Sequence, residues 1–135
     1  MFRARRVPKS ERPERRGAAF VAIRTDRAVL VQTRPPKGLL GGMTEVPGSD
    51  WLAGQEDKAA LRQAPELDGA TRWHRKAGVV THVFTHFPLE LVIYTSSAPA
   101  KTKAPKGMRW VPIATLAEEA LPNVMRKAIA HGLGE

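Results

Sequence analysis

Short apolar runs separated by turn-forming residues dominate the first half of this chain. Ala18 to Arg24 (AAFVAIR) and Ala28 to Arg34 (AVLVQTR) are two such runs, and Thr25-Asp26-Arg27 between them predicts a β-hairpin. Pro35 and Pro36 stop the second run. The glycine-rich string Lys37 to Gly42 then leads into an extended stretch, Met43 to Val46, and a Pro47-Gly48 turn. Glu56 to Ala64 carries Ala59, Ala60 and Leu61 and predicts a short helix ended by Pro65. Two more strand-like runs follow, Ala77 to Phe84 and Leu89 to Tyr94. A connection as short as Thr85-His86-Phe87-Pro88 makes them neighbours. After a loop with lysines and prolines from Ala98 to Gly107, Arg109 to Val111 predicts a last strand, and Pro112 to Ala120 a helical turn or two. Leu121 to Leu133 predicts the closing helix. Pro122 suits its first turn, and Val124, Met125, Ala128 and Ile129 form one apolar stripe. Strands, a helix, more strands and a final helix, with no internal repeat, describe an α/β (α+β) domain with a mixed sheet sandwiched by helices.

Composition bounds the partners more than the fold. The 135 residues suffice for one core, and 42% hydrophobic with 26% charged residues is ordinary for a globular domain. No cysteine is present, so the chain holds no disulfide, no cysteine zinc site and no iron–sulfur cluster. Neither a membrane span nor a secretory signal is visible, which sets the expectation of a soluble, cytoplasmic monomer. The net charge of +9 favours an anionic partner such as nucleic acid. More than half of that excess sits on residues 1–16, where Arg3, Arg5, Arg6, Lys9, Arg12, Arg15 and Arg16 face only Glu11 and Glu14. With Pro8, Pro13 and few apolar residues, this segment reads as an extended linker or arm ahead of a folded domain at 17–135. It is either a solvated tail or a phosphate-contacting arm.

The chemistry-bearing pattern starts at Gly48. The Nudix signature is G-x5-E-x7-R-E-U-x-E-E-x-G-U, and its helix glutamates hold magnesium against a diphosphate. Gly48, Arg62, Glu66 and Gly69 fall in register with it. Most metal-binding positions do not: Gly54, Gln63 and Leu67 stand where glutamates belong, and Pro65 interrupts the helix. A neutral amide, a leucine and one carboxylate make a poor magnesium site. A magnesium-dependent pyrophosphohydrolase acting on an oxidised nucleotide is the alternative function, and it would need Glu45 and Glu90 to rebuild the site. A plain nucleic-acid or protein-interaction module is a third reading.

Three further segments carry a resemblance. Lys37 to Gly48 (KGLLGGMTEVPG), Thr81 to Phe87 (THVFTHF) and Leu121 to Lys127 (LPNVMRK), in this order and spacing, resemble the C-terminal domain of MutY-type adenine DNA glycosylases. The basic arm is similar to that family's interdomain linker. The resemblance implies a Nudix-like domain that has lost hydrolysis and reads 8-oxoguanine paired with adenine in duplex DNA during base excision repair. A catalytic domain, in cis or in trans, would carry the iron–sulfur cluster and flip and excise the adenine. No cofactor or metal is expected in the present domain.

The family's lesion-reading loop is Phe-Ser-His, and Phe84-Thr85-His86 matches it with threonine for serine, which keeps the hydroxyl. 8-Oxoguanine presents an N7–H donor and an O8 acceptor where guanine has an N7 acceptor. A hydroxyl can accept from the first and donate to the second. The side chain of Thr85 or the backbone amides of the loop would do the reading. Phe84 and Phe87 are candidates for wedging at the lesion or for plain core packing, and His86 for a phosphate contact or for orienting the loop. His82 reads as a sheet residue; four residues of strand put it roughly 13 Å from His86 at about 3.3 Å per residue, too far to share a metal. Arg34, Lys37, Arg126 and Lys127 lie in or beside the matched segments and are candidate phosphate contacts, or solvated surface charges. Trp51, Trp73 and Trp110 read as core or rim packing.

Overall fold

The computed structural model describes residues 14–68 and 71–135. Its elements, in chain order, are β1 (Arg15–Arg24), β2 (Ala28–Thr33), β3 (Thr44–Glu45), α1 (Asp57–Leu61), β4 (His74–Arg75), β5 (Val80–Val83), β6 (Pro88–Ala98), β7 (Met108–Pro112), a 3-10 turn (Ile113–Glu118) and α2 (Asn123–Leu133). All seven strands belong to one mixed sheet. β1 runs parallel to β6 along its whole length, Arg15 beside Leu89 through Arg24 beside Ala98. The other contacts are antiparallel: β2 with β1, β3 and β7, and β6 with β4 and β5.

Burial alternates along the strands, so each sheet face meets its own cover. On one face Val21, Val29, Val31, Leu89, Leu91 and Ile93 pack on Val124, Met125, Ala128 and Ile129, the stripe that makes α2 amphipathic. Gly132 is needed there, because a Cβ would stand 2.9 Å from the side chain of Val21. On the opposite face Phe20, Val92 and Tyr94 meet Ala60 of α1, and Trp73 packs edge-on against Phe20 at 5.2 Å. Helices therefore lie on both sides of a mixed sheet, as the sequence pattern predicts.

β1 and β2 pair only at their hairpin end, Ile23 with Val29 and Arg24 with Ala28. Towards its N-terminal end the free edge of β1 is taken by the segment after β3, which bridges Ala19 to Gly48 and Arg16 to Leu52. A cleft of about 380 Å³ opens where these strands part, lined by Arg15, Ala18, Arg34, Glu45, Trp51 and Leu91 among others.

Several boundaries differ from the sequence reading, each for a local reason. β1 starts at Arg15, so Arg15 and Arg16 belong to the sheet and only residues before them can form the arm; residues 1–13 lie outside those described. α1 ends at Leu61 instead of reaching Ala64, because Pro65 biases the residue before it away from helix. β5 starts at Val80 instead of Ala77, since Gly78 sits at φ +80°. β6 runs on to Ala98, and β4 leaves no trace in the sequence pattern because its two exposed residues carry no apolar signal. Pro122 caps α2 from outside instead of lying in its first turn.

Candidate nucleic-acid interface

β5 and β6 are joined by a tight turn. The Phe84 N–H donates to the Phe87 carbonyl at 2.9 Å, which leaves Thr85 and His86 as an exposed two-residue tip. Beneath the tip the rings form a row. Phe84 packs on Phe87 at 5.1 Å, stacks with Trp51 at 5.9 Å and meets His82 edge-on at 4.7 Å. These separations fall in the range where aromatic pairs attract beyond simple burial, by about 0.5–1.5 kcal/mol each. Phe87 is only 7% exposed and belongs to the main core, so its part is to support the turn; Phe84 is half-buried, and Val83 just before it is 56% exposed.

A guanidinium caps each end of this row. Arg15 lies 4.1 Å over the Phe87 ring, and Arg34 lies 5.1 Å over Trp51. Arg34 is fixed in turn, donating to Glu45 at 2.6 Å and to the Leu39 carbonyl at 2.9 Å, while Gln32 donates to the other Glu45 oxygen at 2.8 Å. The Leu39 bond ties Arg34 to the glycine-rich bend, in which Leu40 takes φ +55° and Gly41 approaches Pro36 so closely that a Cβ would stand 2.4 Å from its carbonyl oxygen. The bend thus holds the exposed Leu39 at the cleft, and Lys37, two residues before it, is exposed as well.

Lys127 reaches the same hairpin from α2. Its Nζ donates to the Thr81 carbonyl at 3.3 Å and lies 3.4 Å from His82 Nδ1. A lysine can only donate, so Nδ1 is the acceptor and the imidazole carries its proton on Nε2. Burial holds the His82 pKa below its ordinary value, and the Lys127 charge adds to this. Arg126, one residue earlier, is exposed on a different flank of α2, among Ile113, Leu116 and Ile129. The structure thus brings the hairpin, Arg34 and Lys127 together and leaves Arg126 apart. Arg15 and Trp51 are the site residues that sequence reasoning missed. The sequence pattern puts Arg15 in the arm and Trp51 in packing; the register of β1 against β6 and the path of the segment after β3 bring both against the hairpin.

The described residues in Nudix register do not converge on one point. Arg62 and Glu66 are exposed and lie beyond the last residue of α1, and Gly69 falls outside the described residues. Leu67 is buried with Ala22, Leu30 and Ala98, and the side-chain oxygen of Gln63 accepts from the Asp50 N–H at 2.8 Å. Gly48 serves packing: a Cβ there would stand 2.8 Å from the Ala18 carbonyl oxygen. Glu45 and Glu90 do not converge, since Glu45 is held by Arg34 and Glu90 by Arg16. Arg16 also pairs with Asp57 at 3.0 Å, and Arg75 pairs with the other Asp57 oxygen at 3.0 Å. Among the described residues no three His, Cys, Asp or Glu side chains gather as metal ligands. No described helix is long and apolar enough to cross a membrane.

Comparison with known proteins bears on this arrangement. The NUDIX domain family model matches residues 18–131. Mouse adenine DNA glycosylase is 32% identical over 106 residues, covering 73% of this chain and 20% of that protein. The human enzyme is 28% identical over 110 residues, covering 73% of this chain and 19% of that protein. The chain therefore spans about a fifth of the length of these relatives. Among solved structures, the C-terminal domain of mouse MUTYH in complex with human PCNA superposes with a TM-score of 0.67 at 27% identity, covering 87% of this chain and 86% of that one. A MutT protein from Methanosarcina mazei Go1 superposes with a TM-score of 0.68 at 16% identity, covering 92% and 96%, a likeness of fold alone.

Proposed function

This chain belongs to the NUDIX domain family, and from that membership, its likeness to the C-terminal domain of adenine DNA glycosylases and the hairpin described above we propose that it is a DNA-repair module. It reads 8-oxoguanine paired with adenine in duplex DNA and directs a glycosylase catalytic domain, supplied in cis or in trans, to the adenine. It performs no hydrolysis itself. The observation that carries this reading is the exposed Thr85-His86 tip on a base of packed rings and arginines. A reader of a single altered base needs a small polar probe held rigidly, and the aromatic row supplies the rigidity.

The Thr85 hydroxyl is suited to the two changes that distinguish the lesion, accepting from N7–H and donating to O8. Opposite normal guanine it would face an N7 acceptor without the second partner, a difference of about 1–3 kcal/mol. His86 beside it, with Lys37 and Lys127 on the flanks, supplies phosphate contacts that carry affinity without sequence information. Arg34 orients Trp51 and Glu45 more than it reaches outward.

Binding of the 135-residue chain to duplexes holding 8-oxoguanine or guanine opposite adenine tests this reading. The wild type is expected to prefer the lesion. Thr85→Ser should be nearly silent, and Thr85→Val, which keeps shape and β-branch, should lose most of the preference, about ten-fold for one neutral hydrogen-bond partner. A wild type with no preference overturns the reading. A valine variant that discriminates as well as wild type moves the contact to the Thr85 and His86 amides. Magnesium-dependent pyrophosphate release from nucleoside triphosphates, abolished by Glu66→Gln, would replace the proposal with a hydrolase.

A further inference from the structure

We propose that Arg15 is a positioning residue for lesion reading, joining the hairpin to the DNA strand it reads through one guanidinium; this rests on the function proposed above. Arg15 stands at the start of β1, beside Leu89 in the parallel ladder with β6, and its guanidinium covers Phe87 at 4.1 Å. Phe87 closes the turn through its carbonyl and supports Phe84, so a force on the Phe87 ring is felt directly at the Thr85-His86 tip.

Among the described residues the two arginines that cap the row differ in their hydrogen bonds. Arg34 spends two of its N–H directions on Glu45 and on the Leu39 carbonyl. Arg15 is an exposed residue whose guanidinium carbon lies over the Phe87 ring, 4.1 Å from its centre, a separation that suits face-on stacking. Stacking on a ring leaves the in-plane N–H groups directed outward, in the fork geometry that suits a phosphate. One side chain can therefore hold Phe87 with its face and a phosphate with its edge. A phosphate gripped there sits at a set distance from the hairpin tip, which fixes where Thr85 falls along the strand. Arg15 also lines the cleft that opens between β1 and β2.

Three measurements on the whole chain test the idea: the ratio of affinities for lesion and guanine duplexes, the slope of log affinity against log salt, and amide exchange of Phe84 without DNA. Arg15→Ala should lower the ratio about two- to five-fold, the range of a cation–π contact at an exposed site. It should also flatten the salt slope by about one phosphate contact and speed exchange of the Phe84 amide. Arg15→Lys keeps the charge but not the planar fork. It should restore the slope and leave the ratio low, and because it preserves charge at a strand end it guards against a folding defect in the alanine variant. Equal loss of affinity for both duplexes, with Phe84 exchange unchanged, would show an ordinary phosphate contact and overturn the proposal. If the wild type shows no lesion preference, the function proposed above fails. Phe84 exchange would still report whether Arg15 holds the turn.

Discussion

Arg15 and Arg16 are consecutive residues of one strand, and they serve opposite faces of the sheet. Arg15 stacks on Phe87 beneath the β5–β6 turn. Arg16 points towards α1 and is consumed there, donating to Glu90 at 3.0 Å, to Asp57 at 3.0 Å and to the Gln55 carbonyl at 3.1 Å. On the hairpin face the polar groups at the tip are presented to solvent over a rigid base. On the α1 face Asp57 and Glu90 are paired with guanidinium groups, Leu67 is buried, Gln63 accepts from a backbone N–H, and Arg62 and Glu66 lie beyond the end of α1. The contrast teaches that the same strand can spend one arginine on ion pairs within the fold and leave its neighbour at the surface beside the hairpin to which the reading role is proposed.

The largest way to break that contrast is at Gly48, a register residue whose present role is close approach to β1. Gly48→Ala places a methyl group against the Ala18 carbonyl oxygen, and backbone on both sides must move. Overpacking of this kind costs about 3 kcal/mol, expected as a thermal midpoint lower by roughly 10 °C. A midpoint within about 2 °C of wild type would mean that the glycine is not needed for packing.

Arg16→Met is a smaller perturbation of the same face. It leaves Asp57 with Arg75 alone and Glu90 without its cation, both half-exposed, so a loss of about 1 kcal/mol in urea unfolding is expected after allowance for solvent screening. Lesion preference should not change, and a fall in preference would show that the two faces are coupled.

The mildest change concerns His82. Its folded pKa lies below the ordinary 6.5, with burial the larger cause and Lys127 the smaller. The neutral ring therefore contributes stability that is fully present above pH 6.5 and is lost as pH falls through the lowered folded value. Lys127→Met should move the His82 pKa, followed by NMR, part of the way back and shrink the acid-side loss of stability. A complete return to the ordinary value would assign the shift to charge instead of burial.

The strands with apolar runs were legible because burial on both faces writes itself into composition; β1, β2 and β6 were located within a few residues. The α2 stripe was equally plain, with Val124, Met125, Ala128 and Ile129 all buried. What the sequence concealed was anything set by pairing between distant segments. Nothing in Arg15 or Trp51 announces that they share a row with Phe84 and Phe87, since that depends on the register of β1 against β6 and on the loop that follows β3. The departures from the Nudix signature at Gln63 and Leu67 are legible in the sequence, yet the arginines that pair with Asp57 and Glu90 are not, because no local pattern connects residues 74 apart.

That long separation also has a consequence for how the chain is made. β1 is among the first parts of the domain to be synthesised, and its partner along all ten residue pairs is β6. At ribosomal rates of about 5–20 residues per second, the wait for that partner lasts roughly 4–15 s. During it Ala18 to Ala22, wholly buried in the finished sheet, lacks its partner on the β6 edge, and α2, which covers Val21, is still to be made. The nascent domain is thus a candidate for chaperone capture or edge-to-edge association in that interval, and its yield in the cell should depend on synthesis rate more than that of a domain built from sequential hairpins.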